Sequence, residues 1–433
     1  MKNRPTSIKE LCEYIWGIED KFNLFEEKVL DVKIWEYIRM NVYYTIAEKL
    51  NILQQPHSST LKNSKLKIVC KFLLNSIKNN FFTLKKADII VFANSRIMRV
   101  DGEYIDIYTH YLIDELAQSH SVVEIESDYL GEHKKIKRKF THYFDWFTLS
   151  QFFLKRLSIF FMKKRFKLPE NISKAEKDIK KICQIDFDLE LLVKKQIHSF
   201  KVHYWLYKKI FLRVAPNKIY LTNSYGNSPL IKAAKDLNIE VDELQHGTFS
   251  KYHLGYSFPN PNTKLDYFPD NFLVWSEFWK NIISLPLPNE NIIIDKFRFL
   301  ELQKIKYLSV KKEPNSVVVL SQGAIGSLIS DTILKNIDIF SGKKIFYKLH
   351  PGEYERWEEY PSLVELVKTY EVVLIKDEID LYELLARSDT QVGVFSTALY
   401  EGVFFDCKTI LLNITGIEYM ESFIKNSKNS KVI

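Results

Sequence analysis

The chain has 433 residues, 46% apolar and 27% charged, the balance of a folded protein and not of a disordered one; its length exceeds what one hydrophobic core usually supports and predicts two domains. A formal charge of +8 over that length is too dilute for a dedicated nucleic-acid binder, so no nucleic-acid partner is expected, but it suits an anionic ligand. The four cysteines, Cys12, Cys70, Cys183 and Cys407, form no C-x-x-C pair, which argues against a zinc site or disulfide framework and favours a reducing cytoplasm.

The opening MKNRPTSIKELCEYIW is polar and lacks the apolar stretch of a secretory signal. No run of about 18 uncharged apolar residues follows anywhere, so no membrane span is expected. Over residues 7–53 the apolar positions recur at three- and four-residue spacing (Leu11, Ile15, Ile18, Phe22), which predicts helix. Residues 87–92 (ADIIVF) predict a strand that opens a β-α step, and 121–125, 218–222, 239–244 and 272–275 predict further strands. Between 132 and 170, basic clusters alternate with Phe, Tyr and Trp. This segment is either an interfacial helix touching anionic lipid on the inner face of the membrane or a helix packed on its own domain by its aromatics. Asp186-Phe187-Asp188 reads as helical and lacks the strand-end setting of a metal–diphosphate site, so no metal is expected.

A charged, proline-punctuated stretch, 286–313, reads as a connection between residues 1–285 and 314–433. Beyond it, 317–320, 344–349, 371–375, 390–394 and 409–412 are buried-strand candidates separated by helix-length segments. The expected fold class is α/β, two Rossmann-like doubly wound domains facing a cleft.

Three segments carry candidate chemistry at predicted strand ends, where ligands gather in open α/β sheets. In Glu243-Leu244-Gln245-His246-Gly247, His246 is placed to act as general base near neutral pH or simply to pin the turn, and the glycine permits close backbone approach. In Lys348-Leu349-His350-Pro351-Gly352-Glu353, Lys348 and His350 alternate and are expected on one face beside a phosphate, with Pro351 fixing the exit. In Phe395-Ser396-Thr397-Ala398-Leu399-Tyr400-Glu401-Gly402, Ser396 and Thr397 are expected to cap a helix whose N-terminus holds phosphate, and Glu401 to accept ribose hydroxyls. Gln322, Gly323 and Gly326, after the first strand of the second domain, offer close approach to a nucleotide. Arg96 and Arg99, after the first strand of the chain, are acceptor-binding candidates together with Gln245 and Gly247.

The order QHG, KLHPGE and FSTALYEG resembles bacterial GT-B glycosyltransferases that build capsule and lipopolysaccharide chains, above all sialyltransferases and Kdo transferases using CMP-sugars. The resemblance covers mainly residues 239–413. It implies that His350 contacts the phosphate of a CMP-linked donor, that Ser396 and Thr397 hold the CMP portion, and that no further cofactor is needed. Many sialyltransferases carry a carboxylate before glycine as the base; this chain has His246-Gly247, with Glu243 upstream as a second catalytic candidate. The His-Gly and His-Pro pairing is also similar to polymerases that transfer glycerol phosphate from CDP-glycerol. A non-enzymatic scaffold of a polysaccharide-assembly complex is the remaining alternative.

Overall fold

The computed structural model describes residues 4–53, 65–94, 97–129, 131–161, 167–427 and 429–433. The helical periodicity near the N-terminus becomes α1 (Ile8–Phe22) and α2 (Ile34–Lys49), joined through a hairpin of β1 (Lys28–Val29) and β2 (Val32–Lys33). Ser7 caps α1 by accepting from the Glu10 amide, and Leu11, Ile15 and Ile18 turn inward. This layer shares a core with α6 (Glu170–Cys183), α7 (Leu189–Val214) and the 252–267 loop. Its polar centre is a buried Arg39–Glu19 pair, bonded at 2.7 Å and 3.0 Å. Trp35 donates to the same carboxylate, and Arg39 also donates to the carbonyls of Leu254 and Ser257.

The first domain is built on a seven-stranded parallel sheet. Its strands are β3 (Ile89–Phe92), β6 (Val122–Glu126), β7 (Thr141–Tyr143), β8 (Lys218–Leu221), β9 (Glu240–Leu244), β10 (Asn271–Val274) and β11 (Ile292–Ile294), in the order β11-β10-β9-β8-β3-β6-β7. Alternation sends Ile90 to a core shared with α5 (Asp145–Phe161), α7 and α8 (Ser228–Lys235), and Ile89 and Val91 to one shared with α4 (His110–Leu116). Outside the sheet lie α3 (Lys65–Lys78), packed on α5, and α9 (Glu277–Ile282). A hairpin of β4 (Met98–Val100) and β5 (Glu103–Ile105) turns at Asp101-Gly102, both at positive φ as such a tight turn requires.

The second domain has a six-stranded parallel sheet of β12 (Glu313–Leu320), β13 (Lys344–Lys348), β14 (Val373–Ile375), β15 (Ser388–Gly393), β16 (Lys408–Leu411) and β17 (Ser430–Val432), ordered β14-β13-β12-β15-β16-β17. Val317 and Val319 pack on one face and Val318 and Leu320 on the other. The helices are α11 (Gly326–Lys335), α12 (Pro361–Thr369), α13 (Leu381–Arg387), α14 (Thr397–Phe404) and α15 (Glu421–Asn426). Numbered along the chain, the first sheet runs 3-2-1-4-5-6-7 and the second 3-2-1-4-5-6, the doubly wound order that opens a crevice where strands 1 and 4 meet. That boundary is β3/β8 in the first sheet and β12/β15 in the second. The two halves share an apolar core in which Ile105 and Ile107 pack with Val318, Leu320 and Leu399. This is the GT-B arrangement of two Rossmann-like domains.

Three expectations need correction. The stretch 286–313 is not a bare connection: β11 completes the first sheet, and α10 (Arg298–Lys306) joins the second domain through Phe299 against Tyr382. The segment 132–170 is not one helix. It contains β7 and α5, and its first basic cluster is tied internally: His133 bonds Glu126 and Asp145, Lys135 bonds Glu124, and Arg138 bonds Asp114 and Glu124. Asp186 and Asp188 lie in the α6–α7 loop, where Asp188 caps α7 by accepting from Leu191. Among the described residues, no helix is long and apolar enough to cross a membrane.

The Arg39 network joins the N-terminal layer to the loop beneath the His246 turn, and removing one member leaves a buried charge unpaired. Arg39→Ala is expected to cost about 3–5 kcal/mol, measured by urea unfolding. Replacing both partners by apolar residues of similar volume (Arg39→Met with Glu19→Leu) should cost much less.

Candidate active site

The turn after β9 is braced from below. Gln245 is buried, its Nε2 donates to Gly247 O at 2.9 Å, and its Oε1 accepts from Trp275 N at 2.9 Å. Glu243 is 0% exposed and accepts from the Ser224 amide at 3.1 Å and from the Tyr256 hydroxyl. Period-2 alternation turns both toward the interior, where their hydrogen bonds hold the turn in position. Burial pushes the Glu243 carboxyl up to about 7, against the pull of the Ser224 and Tyr256 hydrogen bonds.

His246 itself is half-buried. Its ring sits edge-on to Tyr108, with centroids 6.3 Å apart, and 6.1 Å from Tyr256. Tyr108 belongs to a stacked wall with Phe297 and Trp275, the last two 4.4 Å apart and nearly coplanar in orientation at 6°. Gly247 faces the other domain, and a Cβ placed on it would lie 3.8 Å from Thr397 Oγ1.

On the opposite side, Ser396 caps α14, its hydroxyl accepting from the Ala398 amide at 3.2 Å, and Thr397 opens the helix. Gln322 accepts from the Phe395 amide at 3.1 Å. It thus ties the loop after β12 to the loop after β15 across the switch point. Gly323 lies against His350, since a Cβ there would stand 3.2 Å from His350 Nδ1. His350 is exposed and opens a 3-10 turn with Pro351. Its Nδ1 accepts from the Gly352 amide at 3.1 Å, so in the neutral ring the proton is on Nε2. Glu353 is buried under this turn and accepts from His350 N at 2.9 Å and Ser321 Oγ at 3.0 Å. Gly326 makes room for that carboxyl: any Cβ at Gly326 would collide with Glu353 Oε1.

Lys348 is spent on main-chain carbonyls. The strand ends at Lys348, the chain turns, and the ammonium donates to the carbonyls of Lys376 and Ile379. Glu401 is buried, held beside Tyr382, and burial pushes it up to about 7. It borders a cavity of about 640 Å³ at the domain junction, with Trp275, Trp279 and Tyr400, one turn away from the Ser396–Thr397 cap. Arg99 is exposed on the hairpin, while its neighbours Met98 and Val100 pack toward the second domain. Alternation therefore turns Arg99 away from that domain; Arg96 lies outside the described residues.

Arg356 escaped sequence reasoning. Its guanidinium donates to Gly352 O at 3.0 Å and to Gly323 O, which puts a second cation donor beside His350. The signal was faint, an arginine one helical turn beyond the glycine of HPGE. Taken together, His246-Gly247, Thr397, Phe395–Gln322 and Gly323–His350 form an unbroken series of neighbours across the crevice.

No family model matches the chain, and no curated protein matches it. Among solved structures, UDP-GlcNAc 2-epimerase from Methanocaldococcus jannaschii is similar at 11% identity, over 80% of this chain and 88% of that one, with a TM-score of 0.45. UDP-GlcNAc 2-epimerase from Neisseria meningitidis is similar at 12% identity, over 79% and 86%, with a TM-score of 0.42. MurG from Acinetobacter baumannii is similar at 9% identity, over 55% and 65%, with a TM-score of 0.39.

Glu243 makes stability depend on pH. Its folded carboxyl holds a proton up to about 7, whereas the unfolded one releases it near 4.3. Stability contributed by the protonated form is therefore lost as pH rises between those values. Urea unfolding at pH 5.5 and pH 8 should show Glu243→Gln losing about 2 kcal/mol less than the parent over this interval; equal losses would remove Glu243 as the source.

Proposed function

We propose that this chain is a metal-independent glycosyltransferase that moves a sugar from a nucleotide-sugar donor to a cell-surface polysaccharide or lipopolysaccharide acceptor. The observation that carries this reading is the pairing across one crevice of a histidine turn, His246-Gly247, with the capped N-terminus of α14 at Thr397. On this reading residues 1–285 hold the acceptor and 314–433 the donor.

The donor half offers donors to an anion: the Thr397 amide at the start of α14, the Ser396 and Thr397 hydroxyls and the Nε2 of His350. These would bind the phosphate and stabilise the charge that develops as the bond from the anomeric carbon to the phosphate oxygen breaks. His246 would take the proton of the acceptor hydroxyl as its oxygen bonds to that carbon, leaving a nucleoside monophosphate as the other product when the donor is a CMP-sugar. The Tyr108–Phe297–Trp275 wall suits the apolar face of a sugar ring. The His-Pro and Ser-Thr elements, similar to those of CMP-sugar transferases, favour sialic acid or a related acidic sugar as the group moved. Transfer of glycerol phosphate from CDP-glycerol is the second reading, favoured by the His-Gly and His-Pro pairing.

Thermal-shift measurements with CMP, CDP, UDP and GDP should show CMP raising the Tm most. His350→Ala should lose that shift together with turnover. His246→Ala should keep the shift while turnover falls about 10²-fold or more, the usual worth of a general base. Near-parental turnover by His350→Ala with every nucleotide sugar tested would overturn the assignment, and consumption of CDP-glycerol in place of CMP-sugars would establish the second reading.

A further inference from the structure

The outward face of α3 carries what a solvated helix face should not. Its inner side is anchored by buried Phe72 and Asn79, by Asn75 donating to Asp145 at 2.7 Å, and by Ile68 against Gly131. Opposite these, Val69, Leu73 and Ile77 recur every four residues, with Leu74 beside them, and all four are exposed. Leu74 is 67% exposed, Ile77 71%, and Phe82, just beyond the helix, 78%. At about 100° per residue, Lys67, Lys71 and Lys78 fall on the arc adjoining this stripe, and all are exposed. Residues 65–87 contain no Asp or Glu, and Lys85 and Lys86 extend the basic edge past Phe82. On α5, packed alongside, Phe152 and Phe153 are exposed, with the Arg156 guanidinium 4.9 Å from the centre of the Phe152 ring.

We propose that α3 and the Phe82 turn form a surface that docks this protein on an anionic lipid bilayer. The occupant follows from the charge. An apolar stripe seeks an apolar phase, and a border of lysines without a single acidic residue seeks a negative one; an anionic bilayer provides both in one plane. Lysine stems are long enough to lie along the apolar boundary with the ammonium at the headgroups. A second copy of this chain is a poor occupant, because two wholly cationic faces repel each other. In the basic cluster at 132–140, by contrast, His133, Lys135 and Arg138 are held in internal ion pairs. This inference stands apart from the sugar-transfer reading, since vesicle binding needs no turnover.

The test is co-sedimentation of the full chain with vesicles of phosphatidylcholine alone or mixed with an equal share of phosphatidylglycerol. The parent should sediment with the mixed vesicles about tenfold more tightly than with phosphatidylcholine, and added salt should weaken the binding. The variant Leu74→Ser, Ile77→Ser, Phe82→Ser should lose about tenfold or more, and Lys71→Gln, Lys78→Gln should lose several-fold only on mixed vesicles. All five side chains are exposed, so unchanged melting curves are expected and would separate lost docking from lost folding. Absence of sedimentation with mixed vesicles, parental binding by the triple variant, or a dimer in size-exclusion chromatography that the triple variant abolishes would each overturn the proposal.

Discussion

The site depends on one constraint of parallel β-structure: every strand of a parallel sheet ends on the same edge, and only where the winding reverses do the flanking helices part to leave a crevice. Both sheets here reverse between their first and fourth strands, at β3/β8 and β12/β15. Asn94 bridges to Thr222 across the first of these points, and Gln322 bridges to Phe395 across the second. Because the two strand-end edges oppose each other, turns separated by long stretches of chain become neighbours. His246, His350 and Thr397 have no local reason to meet; the two winding orders bring them together.

The polar residues hidden beneath those turns repeat a pattern. Under His246 lie a buried carboxyl, Glu243, and a buried amide, Gln245; around His350 lie a buried carboxyl, Glu353, and an amide, Gln322, both hydrogen-bonded to backbone. In each half the carboxyl accepts main-chain N–H groups and the amide ties one strand-end loop to another. Buried groups bonded to the main chain in this way fix the turn's conformation before any ligand arrives. Gly326 obeys the same logic, since the bulk of Glu353 leaves no room for a Cβ there.

Much of this was legible in the sequence, for a reason the strands make plain. Residues 87–92 and 317–320 read as continuous apolar runs because both faces of a parallel sheet are covered. The strands missed in the two large sheets, Thr141–Tyr143, Ile292–Ile294 and Ser430–Val432, all lie at a sheet edge, and all are three residues long. In the candidate site, the placement of His246, His350, Ser396 and Thr397 just beyond strand ends was readable. Positions within a strand were not. Alternation groups Glu243 with Gln245, but in a sheet covered on both sides it does not say which face carries a ligand. Lys348 and His350 were grouped by the same alternation, which could not reveal that the Lys348 ammonium is spent on the carbonyls of Lys376 and Ile379.

The junction between the halves decides how the two histidines are held. Their separation is set by packing: Ile105, Ile107 and Phe297 share a core with Val318, Leu320 and Tyr382. At the cleft margin Trp279 meets Tyr400 with centroids 4.5 Å apart, and Tyr43 is 3.2 Å from Tyr419, hydroxyl to hydroxyl. Domains joined by a small polar contact swing freely, whereas a contiguous apolar junction resists relative motion. Arg298, bonded to Glu115 and Asp295, and Lys306, bonded to Asp101, add charged ties along the same seam. The crevice is thus pre-formed, and what enters it meets an imidazole and a helix N-terminus already opposed.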